Sequence, residues 1–246
     1  MQLPNPEGLS VVFIPGLTSG RASSECVQFE NYCLEKRYNF LTYDPRGIGE
    51  SSMSFGDCNM SHWVADACNM IELLGERCGT APLVLGTSMG SALATHIAHK
   101  KLCRFHALIL LCPAINYGDT FVSQCEYLMT SEQAVAFKNG DVVEIDFGSQ
   151  EDWEPFEFSS RLVESFKAVE IPGIKEVIQG NYPVRILQGY NDVTIPYTWL
   201  ERWNPNVVFE TSDLSVSYLK GCDHLVMNNP LGFSMVKNLL REFMGY

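Results

Sequence analysis

The feature that most constrains this chain is a seam without a loop. The apolar run Leu83-Val84-Leu85-Gly86-Thr87 leads into Ser88-Met89-Gly90, and a helical pattern from Ser91 to Lys101 begins at once. A strand that turns directly into a helix needs room at the turn, and Gly86 and Gly90 stand two residues either side of Ser88. Gly86-Thr87-Ser88-Met89-Gly90 is therefore G-x-S-x-G in the context that motif requires, a strand before it and a helix after. Such a turn lifts a serine to the end of a sheet as a nucleophile. Alone, the pentapeptide arises by chance, and a serine there also serves as an N-cap. The strand ahead of it favours the nucleophile.

The rest of the chain repeats the same alternation. Leu9 to Ile14, Tyr38 to Tyr43, Ala107 to Cys112, Val184 to Gln188 and Leu214 to Leu219 read as strands. Helices are predicted from Ser24, with Cys26, Phe29 and Cys33 on one face; after Ser61 as N-cap, with Trp63, Ala67, Met70, Ile71 and Leu74 as the stripe; near Tyr197 to Trp203; and from Leu231 to about Phe243. Strands alternating with helices imply a mostly parallel twisted sheet with helices on both faces. Between Pro113 and Tyr182 the rhythm breaks, which predicts a core of residues 1–112 and 183–246 and a cap insertion, 113–182, after the fourth strand. The acidic run in that insertion, Asp141, Glu144, Asp146, Glu151, Asp152, Glu154 and Glu157, reads as a solvated face, with a cation-substrate site as the other possibility.

A serine hydroxyl needs a base within hydrogen-bond reach. Of the five histidines, His62 starts a helix and His96, His99 and His106 lie on or just after the helix behind Ser88. Only His224 falls in a loop after a late strand, where the carboxyl ends of parallel strands gather ligands. Asp192, directly after the strand Val184 to Gln188, supplies the acid in the order Ser, acid, His. Asp223 is the rival acid, set too close along the chain to reach the ring nitrogen well, and Asp213 starts a strand at the other end of the sheet. The oxyanion of such a reaction calls for two backbone N–H groups, assigned to Met89 and, in the loop Pro15-Gly16-Leu17-Thr18, to Leu17.

Composition narrows the partners. The net charge of −12 argues against nucleic acid, whose binding depends on clustered Lys and Arg. No run approaches the roughly 20 apolar residues of a membrane helix. The cysteines are odd in number, nine, and several sit in apolar patterns, which suits free thiols in a reducing, intracellular compartment such as the cytoplasm. Metal binding is not expected, since no C-x-x-C pair occurs and Cys222 with His224 lacks further ligands; no cofactor is needed. Met1-Gln2-Leu3-Pro4 carries no basic stretch before an apolar core, so no signal peptide is expected.

In order along the chain come Phe13-Ile14-Pro15-Gly16, Tyr43-Asp44-Pro45-Arg46-Gly47-Ile48-Gly49-Glu50-Ser51, Trp63 to Asp66, the elbow around Ser88, Gln188-Gly189 to Asp192, and Asp223-His224. This series resembles the α/β-hydrolase superfamily over nearly the whole chain. The Phe-x-Pro-Gly opening, the Trp-x-x-Asp helix and the Ser-Met-Gly elbow are most similar to the alpha/beta-hydrolase domain-containing protein 10 group of mitochondrial acyl-glucuronide esterases and palmitoyl-protein thioesterases. The resemblance implies an α/β-hydrolase fold with Ser88 as nucleophile, Asp192 as acid and His224 as base, and a mitochondrial setting. The expected reaction is hydrolysis of an ester or thioester through an acyl-enzyme on Ser88, the substrate being a small-molecule ester or an S-acylated protein. An acyl pocket is expected from the insertion, through Phe121, Tyr127, Leu128, Met129, Phe137, Phe156 and Phe158. The alternative is a non-catalytic binding or receptor protein on the same fold.

Overall fold

In the computed structural model, which describes residues 1–5, 8–147, 156–171 and 178–243, the alternation closes into one six-stranded sheet. Its strands are β1 (Ser10–Ile14), β2 (Asn39–Leu41), β3 (Leu83–Thr87), β4 (Ala107–Leu111), β5 (Val184–Gly189) and β6 (Leu214–Leu219). They lie in the order β6-β5-β4-β3-β1-β2, every neighbouring pair parallel. The chain steps outward from β1 to β2, then crosses back to β3 and proceeds the other way. The reversal falls between β1 and β3, and the crevice at the carboxyl ends of such a pair is where ligands bind in open α/β sheets.

Nine helices accompany the sheet among the described residues: α1 (Ser24–Lys36), α2 (Met60–Cys78), α3 (Met89–Lys100), α4 (Gly118–Leu128), α5 (Ser131–Lys138), α6 (Ser160–Ser165), α7 (Tyr197–Trp203), α8 (Pro205–Val208) and α9 (Pro230–Phe243). Side chains alternate across a strand, so each strand feeds two cores. Val11 and Phe13 pack with Phe29 of α1 and Val236 and Leu240 of α9. Val12 and Ile14 pack with Trp63 and Ile71 of α2 and Leu93 and Ile97 of α3. Burial on both faces is why β1, β3 and β4 read as unbroken apolar runs.

Three boundaries differ from the sequence reading by two residues. The strand expected over Tyr38 to Tyr43 has only Asn39–Leu41 in the ladder. It is an edge strand, and the chain leaves it for the Asp44-Pro45 turn, where proline has no N–H to donate. On its outer side Gln2 and Phe40 exchange backbone hydrogen bonds of 2.8 Å. Helix α2 is capped by Asn59 and not by Ser61: the Asn59 side chain accepts the His62 N–H at 3.0 Å, which leaves Ser61 inside the first turn. Helix α3 begins at Met89, two residues before the apolar period suggests.

Two of the motifs meet. The indole of Trp63 donates to the Arg46 carbonyl at 2.9 Å, and Asp66 accepts from the Arg46 backbone N–H at 3.0 Å and its Nε at 2.8 Å. Between β4 and β5 the chain builds α4, α5, an antiparallel pair of Val143–Ile145 with Phe156–Phe158, and α6. Asp141, Glu144, Asp146 and Glu157 of the acidic run are exposed, while Glu151, Asp152 and Glu154 lie outside the described residues. All nine cysteines are free thiols. No described helix is long and apolar enough to cross a membrane.

Candidate active site

Ser88 occupies the sharp turn between β3 and α3 with φ 52° and ψ −118°. A left-handed φ at a residue other than glycine costs on the order of 1–3 kcal/mol and persists only when its surroundings enforce it. Here they do. The Ser88 N–H donates to the Leu111 carbonyl at 2.9 Å, and its carbonyl accepts from Ser91 at 3.0 Å and from Ala114 at 3.2 Å. Ser88 stands at the N-cap position of α3, but its side chain makes no capping hydrogen bond. The flanking glycines are steric necessities: a methyl group on Gly86 would stand 2.5 Å from the Gly90 carbonyl oxygen, and one on Gly90 2.2 Å from that of Ile14. Ser91 secures the turn from below, its hydroxyl donating to the Gly86 carbonyl at 2.6 Å.

Asp192 and His224 meet across two loops at the same end of the sheet. His224 Nδ1 lies 2.8 Å from Asp192 Oδ2. The Asp192 side chain is fully buried, and its other oxygen accepts the backbone N–H groups of Thr194 at 2.9 Å and Ile195 at 2.8 Å. A carboxylate held by that many donors is fixed in place. The loops are stitched together by Tyr190 N–H to Leu219 at 3.0 Å and Asn191 N–H to Cys222 at 2.9 Å. Asp223 turns away and accepts the Leu225 N–H at 3.1 Å. Asp213 pairs with Arg185 at 2.8 Å, at the opposite end of the strands.

Met89 is the first residue of α3, so its N–H has no intrahelical acceptor. Leu17, Met89, Ser88 and His224 line one cavity of about 550 Å³. Of the other histidines, His96 is buried on α3, its pKa lowered first by that burial, and His106 bonds the Ala81 carbonyl at 2.7 Å.

The cavity is walled mainly by apolar side chains. Phe121, Tyr127, Leu128 and Phe156 reach it as the sequence suggests. Phe137 and Phe158 do not: they are buried in the core behind the wall, and Met129 packs against that core as well. Their places are taken by Phe147 and Phe166, each stacked on Phe121 with ring centroids 5.8 Å and 4.8 Å away. The region between β4 and β5 has no single hydrophobic period, so the sequence does not separate its core aromatics from its lining ones.

Three further groups support the site in ways that the sequence does not reveal. Gln188, buried on β5, donates its amide to Asp192 Oδ2 at 3.2 Å and to the Ile195 carbonyl at 3.0 Å. Cys112, buried at the end of β4, accepts the Gly189 N–H at 3.4 Å. Glu25, in the first turn of α1, is only 5% exposed. Cys112, Asp192 and His224 bring their ligand atoms within 4.8 Å of one another. That grouping is a poor metal cradle, because the Asp192 and His224 atoms are already hydrogen-bonded together and burial pushes the Cys112 thiol well above its usual range.

Known proteins share this arrangement of the chain. The palmitoyl-protein thioesterase ABHD10, mitochondrial, of Rattus norvegicus is 24% identical over 224 residues, covering 87% of this chain and 68% of that protein. A putative hydrolase from Agrobacterium vitis S4 superposes with a TM-score of 0.80 at 19% identity, over 98% of this chain and 90% of its own. Alpha/beta hydrolase domain-containing protein 10 from mouse superposes with a TM-score of 0.72 at 20% identity, over 96% and 89%. These structural likenesses concern the fold. The sequence matches the family described as "Serine aminopeptidase, S33" over residues 7–170, more than half of its length and the whole stretch from β1 through the Ser88 elbow, and the chain belongs to that α/β-hydrolase family.

Proposed function

We propose that the protein is a serine hydrolase acting on carboxylic esters or thioesters, with Ser88, His224 and Asp192 as its catalytic triad. The observation that carries this reading is the 2.8 Å contact of His224 Nδ1 with the buried Asp192 carboxylate, beside a cavity that Ser88 and His224 share. Asp192 fixes the tautomer in which Nε2 of His224 is the free base. Ser88 Oγ attacks the acyl carbonyl as its proton passes to Nε2. The oxyanion of the tetrahedral intermediate is held by the N–H groups of Met89 and Leu17, each such donor being worth on the order of 3 kcal/mol. Collapse expels the alcohol or thiol, protonated by His224, and leaves an acyl-enzyme. A water deprotonated by His224 then releases the carboxylic acid and restores Ser88.

The apolar wall of the cavity supports an acyl chain as the buried part of the substrate. On this reading residues 113–182 are a cap that supplies most of that wall. The naming of the rat relative supports an S-acylated protein as one substrate class and a mitochondrial location. An acyl glucuronide is the other candidate, because its leaving group, the anomeric hydroxyl of a sugar acid, departs more readily than an ordinary alcohol.

The test is fluorophosphonate labelling of wild type and Ser88→Ala, beside hydrolysis of p-nitrophenyl esters, acyl-CoA and S-acyl peptides of rising chain length. Labelling that vanishes in Ser88→Ala, with turnover that depends on chain length, is the expected result. A folded wild type that neither labels nor turns over would sink the enzyme reading and leave a non-catalytic binding protein on this fold.

A further inference from the structure

Glu25 joins two parts of the site that are far apart in sequence. Its Oε1 accepts the backbone N–H of Met227 at 2.9 Å, and the Thr87 side chain lies near enough to the carboxyl to favour its charged form. Met227 lies three residues beyond His224, and Thr87 immediately precedes Ser88. Burying a carboxylate costs several kcal/mol unless partners offset it. Helix α1 alone does not explain the cost, since an exposed Glu in its first turn would serve the helix dipole equally well. A second tie runs alongside, from Asn228 Nδ2 to Ser24 Oγ at 3.0 Å.

The groups that act electrostatically on the Glu25 carboxyl come from three elements. His224 and Asp223 belong to the loop after β6, Cys112 to the end of β4, and Cys26 to α1 itself. Within that set, only His224 can carry positive charge, and it does so when protonated.

Resting on the roles given above to Ser88 and His224, we propose that Glu25 is a positioning residue. It pins the histidine loop against the nucleophile end of β3 and favours the imidazolium that His224 becomes during acyl transfer. A side chain that only filled space would do neither.

The experiment compares wild type, Glu25→Ala and Glu25→Gln in p-nitrophenyl ester kinetics across pH and in hydrogen–deuterium exchange of the peptide spanning residues 222–229. Glu25→Ala is expected to lower kcat roughly ten- to hundredfold with KM little changed, because the base is misplaced and not the binding cavity. It should also speed exchange of the Met227 amide. Glu25→Gln retains an acceptor for that amide, so slow exchange and much of kcat should return. Its missing charge should move the acidic limb of kcat/KM to lower pH. Unchanged exchange and kcat in a folded Glu25→Ala would overturn the proposal, as would a Gln variant whose acidic limb stays in place. If Glu25→Ala does not fold, the Gln profile decides. A folded wild type without turnover would count against the triad reading alone, and the Met227 amide exchange would still decide whether Glu25 pins the loop.

Discussion

Gly189 and the carbonyl of Asp223 are in such close approach that a methyl group on Gly189 would stand 2.1 Å from that oxygen. The contact is where the loop carrying His224 rests on the end of β5, one turn from Asp192. Gly189→Ala must therefore displace the histidine loop while leaving both sheet faces intact. The expected outcome is a folded protein whose kcat for a p-nitrophenyl ester falls by about a hundredfold, the cost of an ångström of misplacement. Wild-type kcat in this variant would mean that the loop position is not set here.

Asp192→Asn separates charge and tautomer from shape. The asparagine oxygen can still accept from Thr194 and Ile195, which turns its amide N–H toward His224 and toward the Gln188 amide, both of them facing Oδ2 in the wild type. His224 then has to accept at Nδ1, and its Nε2 carries the proton that should come from Ser88. A fall in kcat on the order of 10⁴ is expected. Steady-state rates check it, and a loss below tenfold would show that another group orients the ring.

How far the chain could be read in advance depended on where each signal was local. β1, β3, β4 and β5 are buried on both faces, so composition alone marks them. Ser88, Asp192 and His224 each follow a recognisable strand, and the carboxyl end of a parallel sheet brings such loops together whatever their spacing. The edge strand β2 and the Asn59 cap lie a residue or two from where the sequence places them, because a half-covered strand and a short polar stretch carry weak periodicity. Glu25 was illegible for a different reason. Its partner Met227 is 202 positions away, and nothing near Glu25 in sequence distinguishes it from an ordinary acidic residue at a helix start.

Asp66 tests the joint between two motifs. Its carboxylate holds both the backbone and the guanidinium of Arg46, whose carbonyl in turn receives the Trp63 indole. Both side chains are partly shielded, at 30% and 15% exposure. Asp66→Ala leaves the Arg46 backbone N–H and Nε without their acceptor, although Nη2 keeps the His62 carbonyl at 3.0 Å, and hydrogen bonds to charged groups contribute about 1.5–3 kcal/mol each. A loss of about 2 kcal/mol in urea unfolding is expected, with esterase kinetics of the remaining folded fraction unchanged.

Phe121 tests the acyl cavity. It stacks on Phe166 and Phe147 at the cavity wall, so Phe121→Ala enlarges the space without touching Ser88 or His224. The ratio of kcat/KM for long over short acyl chains should rise. The stability cost should fall short of the about 3–5 kcal/mol of a fully buried phenylalanine, since Phe121 is half-buried. An unchanged ratio would place the acyl chain elsewhere.

Glu25 also makes a prediction for stability, independent of turnover. Burial, the largest cause, raises its pKa in the fold above the ordinary value of 4.5, which the unfolded chain retains. Between those two values the folded state keeps a proton that the unfolded state has lost, so stability falls as pH rises through the window. Below pH 4.5 the group makes no such demand, and above its folded pKa the whole penalty applies. Glutamine has no proton to lose. Thermal unfolding of wild type and Glu25→Gln across this range should therefore show little difference at the acid end and a growing advantage for the variant toward neutrality. A constant difference across pH would show that Glu25 does not titrate differently on folding. With the expected result, the wild type keeps at position 25 a charge that weakens its fold, the kind of trade that stability makes with activity at functional sites.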